Sequence, residues 1–265
     1  RSVQYELLDN AIAYIARQGH NALISKIDIK SAFRLCPVCP DDRHLLGFSW
    51  DNKLYFDKVL AMGLALSCRI FETFSTAVKW IALKHIRKAY IAKILDDFLL
   101  VTDADHPCPD LAFSLLKTIF THLGIPLAEE KCVPPCKCLV YLGLEIDILN
   151  MCIKLPVDKV HKCVESIMDL MSKKKTRVKQ IHSLCGLLQF ACRAVVPGRL
   201  RRLYDATIRV TNPKFYIRIS REMKDDLSMW LNFLSKYNGR SMFLAHQLQT
   251  PRFTILSDAS SSVGF

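Results

Sequence analysis

The first part of the chain changes from helical apolar spacing to a short apolar run. From Val3 to Ile15, apolar residues recur at the spacing of one helical face, and the polar sequence QGHN ends the pattern. Residues 22–29 then form an apolar run that predicts a largely buried strand. This strand carries Asp28 near its end, so a carboxylate is expected there.

Helices and strands alternate through the middle of the chain. Residues 41–60 predict two short strands around the turn WDNK, and residues 67–83 predict a helix rich in aromatic side chains. Residues 111–123 return to helical spacing, which stops at Gly124, and residues 138–148 predict another pair of strands. We therefore expect a mixture of helices and strands.

A pair of aspartates separates two strand-like runs. Residues 90–95 and 98–102 favour strands, and they flank Asp96 and Asp97. Asp disfavours a strand interior, so such a pair marks either a turn or a site. We predict a hairpin with both carboxylates at its tip.

The chain becomes basic and helical after Pro156. Between Lys154 and Lys224 there are 17 Lys and Arg against 5 Asp and Glu, a surplus that equals the formal charge of +12 of the whole chain. A localised basic surface fits a phosphate backbone, and a solvated helical surface is the alternative. Two amphipathic helices are predicted, the second capped by Thr176, with apolar faces formed by Val160, Val164, Ile167 and Met171 and by Ile181, Leu184, Leu188 and Ala191.

Composition predicts a globular protein without a membrane segment. The 265 residues are 51% hydrophobic, which is enough for one or two cores, and charged residues or His interrupt every long apolar run. Residues 1–20 lack the features of a secretory signal, and an odd count of 11 Cys favours reduced thiols. We expect an intracellular protein, in the cytoplasm or nucleus, that is not secreted.

Two cysteine clusters suggest another kind of site. Cys36 and Cys39 form one, and Cys132, Cys136 and Cys138 form the other. Together they could ligate Zn²⁺, whose structural sites take four Cys or His ligands at short spacing. Neither cluster has a regular partner pair, so we favour the alternative that these loops contain thiols without a metal.

Asp28, Asp96 and Asp97 are the candidate ligands for a different metal. Nucleotidyl transfer uses two divalent cations, one that lowers the pKa of the attacking hydroxyl and one that neutralises the triphosphate. Mg²⁺ takes oxygen ligands, so the carboxylates must be gathered on rigid strands. By spacing alone, an ordinary strand residue and an ordinary turn pair are a strong alternative, because an Asp-Asp pair in a turn is common.

Five segments, in order, resemble the palm motifs of the reverse transcriptase family. KIDIKSAF is similar to the first motif, with Asp28 as metal ligand and Phe33 as the aromatic steric gate, and ILDDF is similar to the Asp-Asp motif. GIPLAEEK resembles the fourth motif, with Lys131 as its lysine, and YLGLEID resembles the primer grip around Leu142 and Gly143. LAMGLALSCRIF resembles the second motif through Leu60, Gly63, Ser67, Ile70 and Phe71.

The resemblance extends to DIRS-type elements, which are retrotransposons that pair a reverse transcriptase and RNase H with a tyrosine recombinase. Their thumb and connection are similar to KLPVDKV, SLCGLLQFACRAVVPGRLRRLYD and WLNFLSKYNGRS. LSDASSSVGF resembles the first strand of their RNase H domain, with Asp258 as its first metal-binding carboxylate. The other carboxylates of such a site are absent from this sequence, so we do not expect RNase H activity of the chain as given.

The family fold is an α+β right hand whose palm is a ferredoxin-like antiparallel sheet with helices on one face. The resemblance implies a palm with partial fingers in residues 1–150 and a helical basic thumb and connection in residues 151–250. Residues 251–265 correspond to the truncated start of an RNase H-like domain. Only 27 residues precede Asp28, so incomplete fingers are expected.

The resemblance also implies roles at the reaction centre. Asp28 and Asp96 bridge two Mg²⁺ ions, for which Mn²⁺ can substitute, and Asp97 contacts the ions or orients a ligand. Lys131 approaches the triphosphate of a deoxynucleoside triphosphate or protonates the pyrophosphate, with a solvated lysine as the alternative.

Four residues are implied around the nucleotide. Phe33 lies under the sugar and rejects a 2′-hydroxyl, which makes the product DNA, although plain core packing is a strong alternative. Ile29, Met62 and Gly63 line the pocket, and Gly63 allows close backbone approach.

A primer-template duplex, with an RNA or DNA template, is the expected partner of the basic region. Its backbone would be contacted without readout of sequence, and for any single residue a solvated charge is the alternative. The proposed contacts are Lys173, Lys174, Lys175, Arg199, Arg201 and Arg202.

Four positions depart from the family pattern. Ile94 stands in place of the usual Tyr, Leu66 in place of a small residue, and Ala61 and Cys68 in place of two prolines. A second hypothesis is therefore a catalytically inactive, nucleic-acid-binding remnant of a retroelement. A third, a palm-like nucleotidyl cyclase, is disfavoured by the basic helical region.

Overall fold

The computed structural model describes residues 3, 5–195, 200–205, 207 and 212–242. Its helices are α1 (Leu8–Gln18), α2 (Ser67–His85), α3 (Pro109–His122), α4 (Val157–Ser172), α5 (Val178–Ala191), α6 (Arg201–Asp205) and α7 (Arg221–Lys236). Its strands are β1 (Leu23–Asp28), β2 (Gly47–Trp50), β3 (Lys53–Phe56), β4 (Ala89–Ile94), β5 (Asp97–Thr102), β6 (Val133–Cys136), β7 (Cys138–Tyr141), β8 (Leu144–Asp147), β9 (Cys152–Lys154), β10 (Lys175–Arg177), β11 (Tyr216–Arg218) and β12 (Arg240–Ser241).

Four strands form the central sheet, in the order β4-β5-β1-β6, and all neighbours are antiparallel. The chain order β1-α2-β4-β5-α3-β6 gives this sheet ferredoxin-like connectivity. The crossover helices α2 and α3 share one core with the sheet, in which Phe71, Phe98 and Phe120 are fully buried. Burial of each such ring stabilises the fold by about 1.5–3 kcal/mol. The predicted α+β class and antiparallel sheet are confirmed.

The opposite face of the central sheet is also covered. Helix α1 packs there through Leu8, Ile12 and Ile15, against sheet residues that include Leu99 and Val101. The prediction of helices on one face therefore describes α2 and α3, while α1 lies on the other. This second face is buried because β1 and β5 carry apolar residues at successive positions, which is typical of strands covered on both sides.

The same core continues into the second half of the chain. Strands β7, β8, β9 and β12 form the meander sheet, in the order β12-β9-β8-β7. Helices α4, α5 and α7 pack around this sheet, with Ile167, Leu188 and Trp230 fully buried. Helix α7 begins at a cap in which the Met223 N–H donates to Ser220 Oγ at 3.2 Å. The two predicted basic-region helices are confirmed as α4 and α5.

Two local features differ from the sequence-based expectations. Strand β6 has the sequence VPPC, and its two prolines lie at the edge of the central sheet, where missing N–H donors cost little. Thr176 does not cap α5, because it lies in β10, and the helix begins after Arg177 without a side-chain cap. The Thr176 hydroxyl instead donates to the side-chain oxygen of Gln180.

The helices and cysteines can be compared with the expectations about a membrane segment and a zinc site. Among the described residues, no helix is both long enough and apolar enough to cross a bilayer. All 11 cysteines are free thiols. Within the same described part of the chain, no group of three or more His, Cys, Asp or Glu is arranged to hold a metal ion.

Candidate active site

The three predicted aspartates lie together at one end of the central sheet. Asp28 is the last residue of β1, is only 6% exposed, and faces Asp97 across the β1-β5 pair. Asp96 lies in the two-residue turn between β4 and β5, as predicted. The Ile29 N–H donates to the Asp96 carbonyl at 3.2 Å, which ties the turn to the end of β1. Neighbouring antiparallel strands thus bring residues distant in sequence side by side.

The turn that carries Asp96 has a strained backbone at Leu95. The φ of Leu95 is +54°, a region that costs a non-glycine residue about 1–3 kcal/mol. The Leu95 N–H donates to Glu72 Oε2 at 3.0 Å, so helix α2 holds the turn in this conformation.

A buried ion pair between Lys93 and Glu72 supports the contact of Glu72 with the Leu95 N–H. Lys93 Nζ lies 2.7 Å from Glu72 Oε1 and also donates to the Glu72 carbonyl and to Ser75 Oγ, both at 2.9 Å. Lys93 is only 3% exposed, and burial lowers its pKa while the Glu72 carboxylate opposes the shift. The Glu72-Lys93 pair therefore fixes the base of the Asp96-Asp97 hairpin on α2.

Two lysines bring positive charge to the three carboxylates. Lys26 Nζ lies 2.8 Å from Asp97 Oδ1 and 3.8 Å from Asp28 Oδ2. Lys131 Nζ lies 3.6 Å from Asp28 Oδ1, on a side chain that is largely exposed. The Ala128 N–H donates to the Asp28 carbonyl at 2.9 Å and so places the short 3₁₀ turn with Lys131 beside β1.

Electrostatics favour a cation at this place. Burial raises the pKa of Asp96; hydrogen bonding to its own backbone opposes the shift, and the nearby charges of Asp97 and Asp28 add to it, while Lys131 opposes it. Bound cations would offset this repulsion among the carboxylates.

The donor set fits divalent metal ions in part. Asp97 Oδ1 is buried, and the Lys26 ammonium lies 2.8 Å from it. Asp28 and Asp96 supply further carboxylate oxygens, the ligand type that Mg²⁺ and Mn²⁺ prefer. The three carboxylates do not converge as a ready-made cage in the described part of the chain. Mg²⁺ commonly binds through one or two carboxylates together with substrate phosphates, so this arrangement fits it.

The four predicted nucleotide-pocket residues differ in accessibility. Phe33 is half-buried, and its ring contacts Phe71 with 5.5 Å between centroids. Ile29 is fully buried, so its side chain belongs to the core and only its backbone faces the turn of Asp96. Met62 is 79% exposed, and Gly63 has a φ of +85°, which favours glycine. Both lie in the loop before α2, closed by a 2.7 Å hydrogen bond from Ser67 Oγ to the Ala61 carbonyl.

The predicted primer-grip residues form the turn of the β7-β8 hairpin. Leu142 and Gly143 both have positive φ, at +49° and +75°. A Cβ at Gly143 would collide with the Lys159 ammonium, which lies 4.2 Å from the centre of the Phe190 ring. The turn is thus packed against α4 and α5. The Tyr141 hydroxyl, beside this turn, donates to the Asp97 carbonyl at 3.2 Å and links the hairpin to the carboxylates.

The predicted nucleic-acid contacts are only partly described. Lys173 pairs with Asp169 at 2.6 Å within its own helical turn, whereas Lys174 and Lys175 are exposed. Arg199 lies outside the described residues, as do the side chains of Arg201 and Arg202 on α6.

The structure adds a basic ribbon that the sequence reasoning missed. Strands β10 and β11 form this two-stranded basic ribbon, in which Lys175 faces Arg218 and Arg177 faces Tyr216. All four side chains are exposed, and the Arg177 guanidinium stacks over the Tyr216 ring at 5.4 Å. Strands of three residues give too short a pattern to predict. The alternation of Lys175, buried Thr176 and Arg177 was the available signal.

Lys26 and Glu72 were also missed, although each had a signal. Lys26 lies two residues before Asp28 on the same strand, so strand periodicity places both side chains on one face. Glu72 directly follows Phe71, the last residue of the second motif, but its partner Lys93 is 21 residues away. Only the pairing of α2 with β4 reveals that contact.

Comparisons with known proteins agree with this geometry. Residues 2–146 match the family model described as "Reverse transcriptase (RNA-dependent DNA polymerase)". No curated protein matches the chain. Two similar solved structures are of the foamy viral protease-reverse transcriptase, one in complex with RNA/DNA hybrid and one with dsDNA.

The structural similarity covers most of this chain but a smaller part of the viral protein. For the hybrid complex, the TM-score is 0.62 at 19% identity, over 82% of this chain and 27% of the viral chain. For the dsDNA complex, the TM-score is 0.61 at 19% identity, and the similarity covers 83% of this chain and 42% of the viral chain. The fold is therefore shared with these structures. The family model matches more than half of the residues of this chain, so the chain belongs to the reverse transcriptase family.

Proposed function

We propose that this protein is an RNA-directed DNA polymerase that extends a primer on an RNA or DNA template by two-metal nucleotidyl transfer. The main observation behind this proposal is that Asp28 lies opposite Asp97, with Asp96 in the adjoining turn. All three residues lie within residues 2–146, which match the family model. Strand pairing fixes these carboxylates on a rigid sheet, as metal-assisted transfer requires.

The residues at the sheet end have distinct roles in this proposal. Asp28 and Asp96 hold two Mg²⁺ or Mn²⁺ ions, and Asp97 contacts the ions or orients a ligand. When bound, these ions would lower the pKa of the primer 3′-hydroxyl and would neutralise negative charge on the triphosphate. Lys131 is exposed and close to Asp28, so it can swing toward the triphosphate or give a proton to the pyrophosphate.

The neighbouring loops position nucleotide and primer. Phe33 lies under the sugar and excludes a 2′-hydroxyl. The Met62-Gly63 loop borders the pocket, together with the Ile29 backbone. The β7-β8 turn, with Leu142 and Gly143, holds the primer end near the carboxylates. The hydrogen bond from Tyr141 to Asp97 supports this placement.

The basic half of the chain binds the primer-template duplex. Lys174, Lys175 and the basic ribbon offer exposed cations for a phosphate backbone. The solved relatives are titled as complexes with RNA/DNA hybrid and dsDNA, which supports such a partner here. Lys173 contributes less, because Asp169 already neutralises it.

The domain division and origin are parts of the same proposal. Residues 1–150 form the palm with partial fingers, and residues 151–250 form the thumb and connection. Motif similarity beyond the palm supports an origin in a DIRS-type retrotransposon. Asp258 and the RNase H-like segment 251–265 lie outside the described residues.

Primer extension on a poly-ribonucleotide template tests the proposal. With Mg²⁺ and deoxynucleoside triphosphates, the unaltered chain is expected to add nucleotides, and Asp96→Asn is expected to lower the rate at least about a hundredfold, because a charged ligand becomes neutral. Asp51→Asn, in the exposed β2-β3 turn, is the matched control and should keep the full rate.

Two outcomes would contradict the proposal. Equal rates for Asp96→Asn and the unaltered chain would refute the assigned mechanism. Salt-dependent duplex binding without incorporation, at any Mg²⁺ or Mn²⁺ concentration, would instead identify a nucleic-acid-binding remnant. Ile94 and Leu66 are the residues to examine in that case.

A further inference from the structure

Lys26 is a lysine held inside the carboxylate cluster. It lies in the central strand β1, two residues before Asp28, and only 16% of its side chain is exposed. Its ammonium lies between two carboxylates, 2.8 Å from Asp97 and 3.8 Å from Asp28. A lysine in the middle of a sheet is costly to bury unless its charge is compensated. The compensation here comes from the proposed metal ligands themselves.

Lys26 and Lys131 differ in how firmly they are held. Lys131 reaches Asp28 at 3.6 Å from an exposed turn, with 60% of its side chain in solvent. Lys26 is enclosed by the sheet and closer to its partner. Its position therefore depends on β1 and β5, the same strands that hold the carboxylates. Lys26 is the fixed cation of the cluster, whereas Lys131 can leave without moving the sheet.

Asp97 is the carboxylate that Lys26 neutralises. Its Oδ1 is buried, and the Lys26 ammonium lies 2.8 Å from it, so this ion pair is the main compensation of the Asp97 charge within the described part of the chain. The Asp28 carboxylate is farther away, with its Oδ2 at 3.8 Å from the Lys26 ammonium. Asp96 lies in the turn and forms no ion pair with Lys26. Lys26 thus neutralises one of the three carboxylates, that of Asp97, and leaves those of Asp28 and Asp96 available to bind cations.

We propose that Lys26 is a positioning residue that takes up the charge of Asp97 and leaves Asp28 and Asp96 as the pair that holds the divalent ions. The inference rests on the proposed polymerase site. A fixed positive charge beside the site also weakens its hold on free ions, because two like charges a few ångströms apart repel strongly in a partly buried site. Ions would then bind firmly only with the phosphates of a nucleotide, which supply the missing negative charge.

A Mn²⁺ titration of the full chain, followed by electron paramagnetic resonance without nucleotide, tests this inference. Lys26→Met removes the charge and keeps the side-chain length, so the Mn²⁺ dissociation constant is expected to fall at least about tenfold. Lys26→Arg keeps the charge and should bind like the unaltered chain. Lys84→Met is the control, since Lys84 is exposed near the end of α2 that leads to the start of β4, away from the hairpin tip.

A double variant separates neutralisation from ligation. Lys26→Met with Asp97→Asn removes one charge of each sign, so its dissociation constant is expected to return to within about threefold of the unaltered value. The double variant leaves no buried charge unpaired, so it is also expected to fold if Lys26→Met alone does not. A double variant that binds Mn²⁺ more than about tenfold more weakly than the unaltered chain would show that Asp97 is itself a ligand, and would overturn the inference.

Asp28→Asn and Asp96→Asn distinguish this inference from the function on which it rests. Both are expected to weaken Mn²⁺ binding at least about tenfold. If neither does, the metal site and the proposed polymerase function fail together. If both do while Lys26→Met binds no more tightly than the unaltered chain, only the role of Lys26 is refuted.

Discussion

Phe33 is a single side chain with both a structural and a proposed functional contact. Its ring packs on Phe71, at the start of α2, while part of it stays accessible. A ring held against a buried neighbour cannot move aside when a bulkier sugar enters. Core packing and steric exclusion are therefore compatible, because the first gives the ring the rigidity that the second needs.

Replacement of Phe33 by Val is expected to admit ribonucleotides. The smaller side chain leaves room for a 2′-hydroxyl, so the preference for deoxynucleotides should fall at least about tenfold in single-nucleotide extension assays. Phe33→Tyr keeps the ring and should keep the preference. An unchanged preference in Phe33→Val, with deoxynucleotide incorporation intact, would assign Phe33 to the core alone.

At the residue scale, sequence reasoning found the acids and missed their partners. Asp28, Asp96 and Asp97 were predicted from their places among five ordered segments that resemble the reverse transcriptase motifs, because their spacing alone also fits an ordinary strand residue and turn pair. Lys26 was missed in spite of its place two residues before Asp28 on the same strand, because a lysine in a strand usually indicates a solvated face. Tyr141 was likewise unpredictable, since its hydroxyl bonds the backbone of a residue 44 positions away. Long-range partners depend on how strands pair, which local patterns do not contain.

The Asp96-Asp97 hairpin depends on α2 as much as on its own strands. Glu72 binds the strained turn through the Leu95 N–H and binds β4 through Lys93. A second acid, the half-buried Glu6, accepts from Lys79 at 2.7 Å and from the Tyr90 hydroxyl, further along the same helix and strand. Polar contacts therefore fasten β4 to α2 at two levels.

Loss of the Glu72 charge is expected to destabilise the fold. Glu72→Gln leaves the Lys93 ammonium buried without a counter-charge, which costs about 3–5 kcal/mol in urea unfolding. Glu72→Gln combined with Lys93→Met should recover most of this loss, because neither charge remains. Asp105→Asn removes the partner of Lys88 in an exposed ion pair, so it serves as the control, with little change expected.

A second measurement separates hairpin positioning from stability. Glu72→Met with Lys93→Met also removes the oxygen that accepts from the Leu95 N–H, so if Glu72 holds the strained turn, this double variant should be slower in primer extension than its stability would allow. A double variant with both normal stability and a normal rate would limit the pair to a structural role.

At the element scale, sequence reasoning predicted long periodic elements and missed short ones. The helices α2, α3, α4 and α5 and the β4-β5 hairpin each carry a full apolar period, and each was predicted. Strand β6 contains two adjacent prolines, which locally indicate a loop. Thr176 was expected at a helix start, but pairing with Ile217 in the basic ribbon extended its backbone into a strand. Tertiary pairing outweighed the local signal in both cases.

The whole molecule joins the cluster of three carboxylates to a basic helical region through one continuous core. That core extends from α1, through the meander sheet, to α4, α5 and α7. The β7-β8 turn lies at the junction, packed on Lys159 and Phe190 and linked by Tyr141 to Asp97. A duplex bound by the basic region is therefore held in a defined relation to the carboxylates.

The basic ribbon is expected to contribute to the salt dependence of duplex binding. Lys175→Ala with Arg218→Ala removes two exposed cations from facing positions of the ribbon. If both contact phosphates, the slope of log affinity against log salt should become less steep by about 1.8. Lys84→Ala with Arg87→Ala removes the same charge from the far end of α2 and should leave the slope unchanged.

The result that would contradict this expectation is an equal slope for the ribbon variant and the unaltered chain. A parallel loss of affinity in both double variants would indicate a general effect of net charge. Binding should be measured on duplexes of two unrelated sequences, because backbone contacts predict the same loss on both.

The two prolines of β6 have a consequence for how the molecule avoids self-association. An edge strand normally presents unpaired N–H groups that can pair with the edge of another sheet. Pro134 and Pro135 have no N–H to offer, so an incoming strand cannot form a regular ladder along β6. The edge of the central sheet beside β1 is therefore a poor template for pairing with a strand from a second copy of the chain.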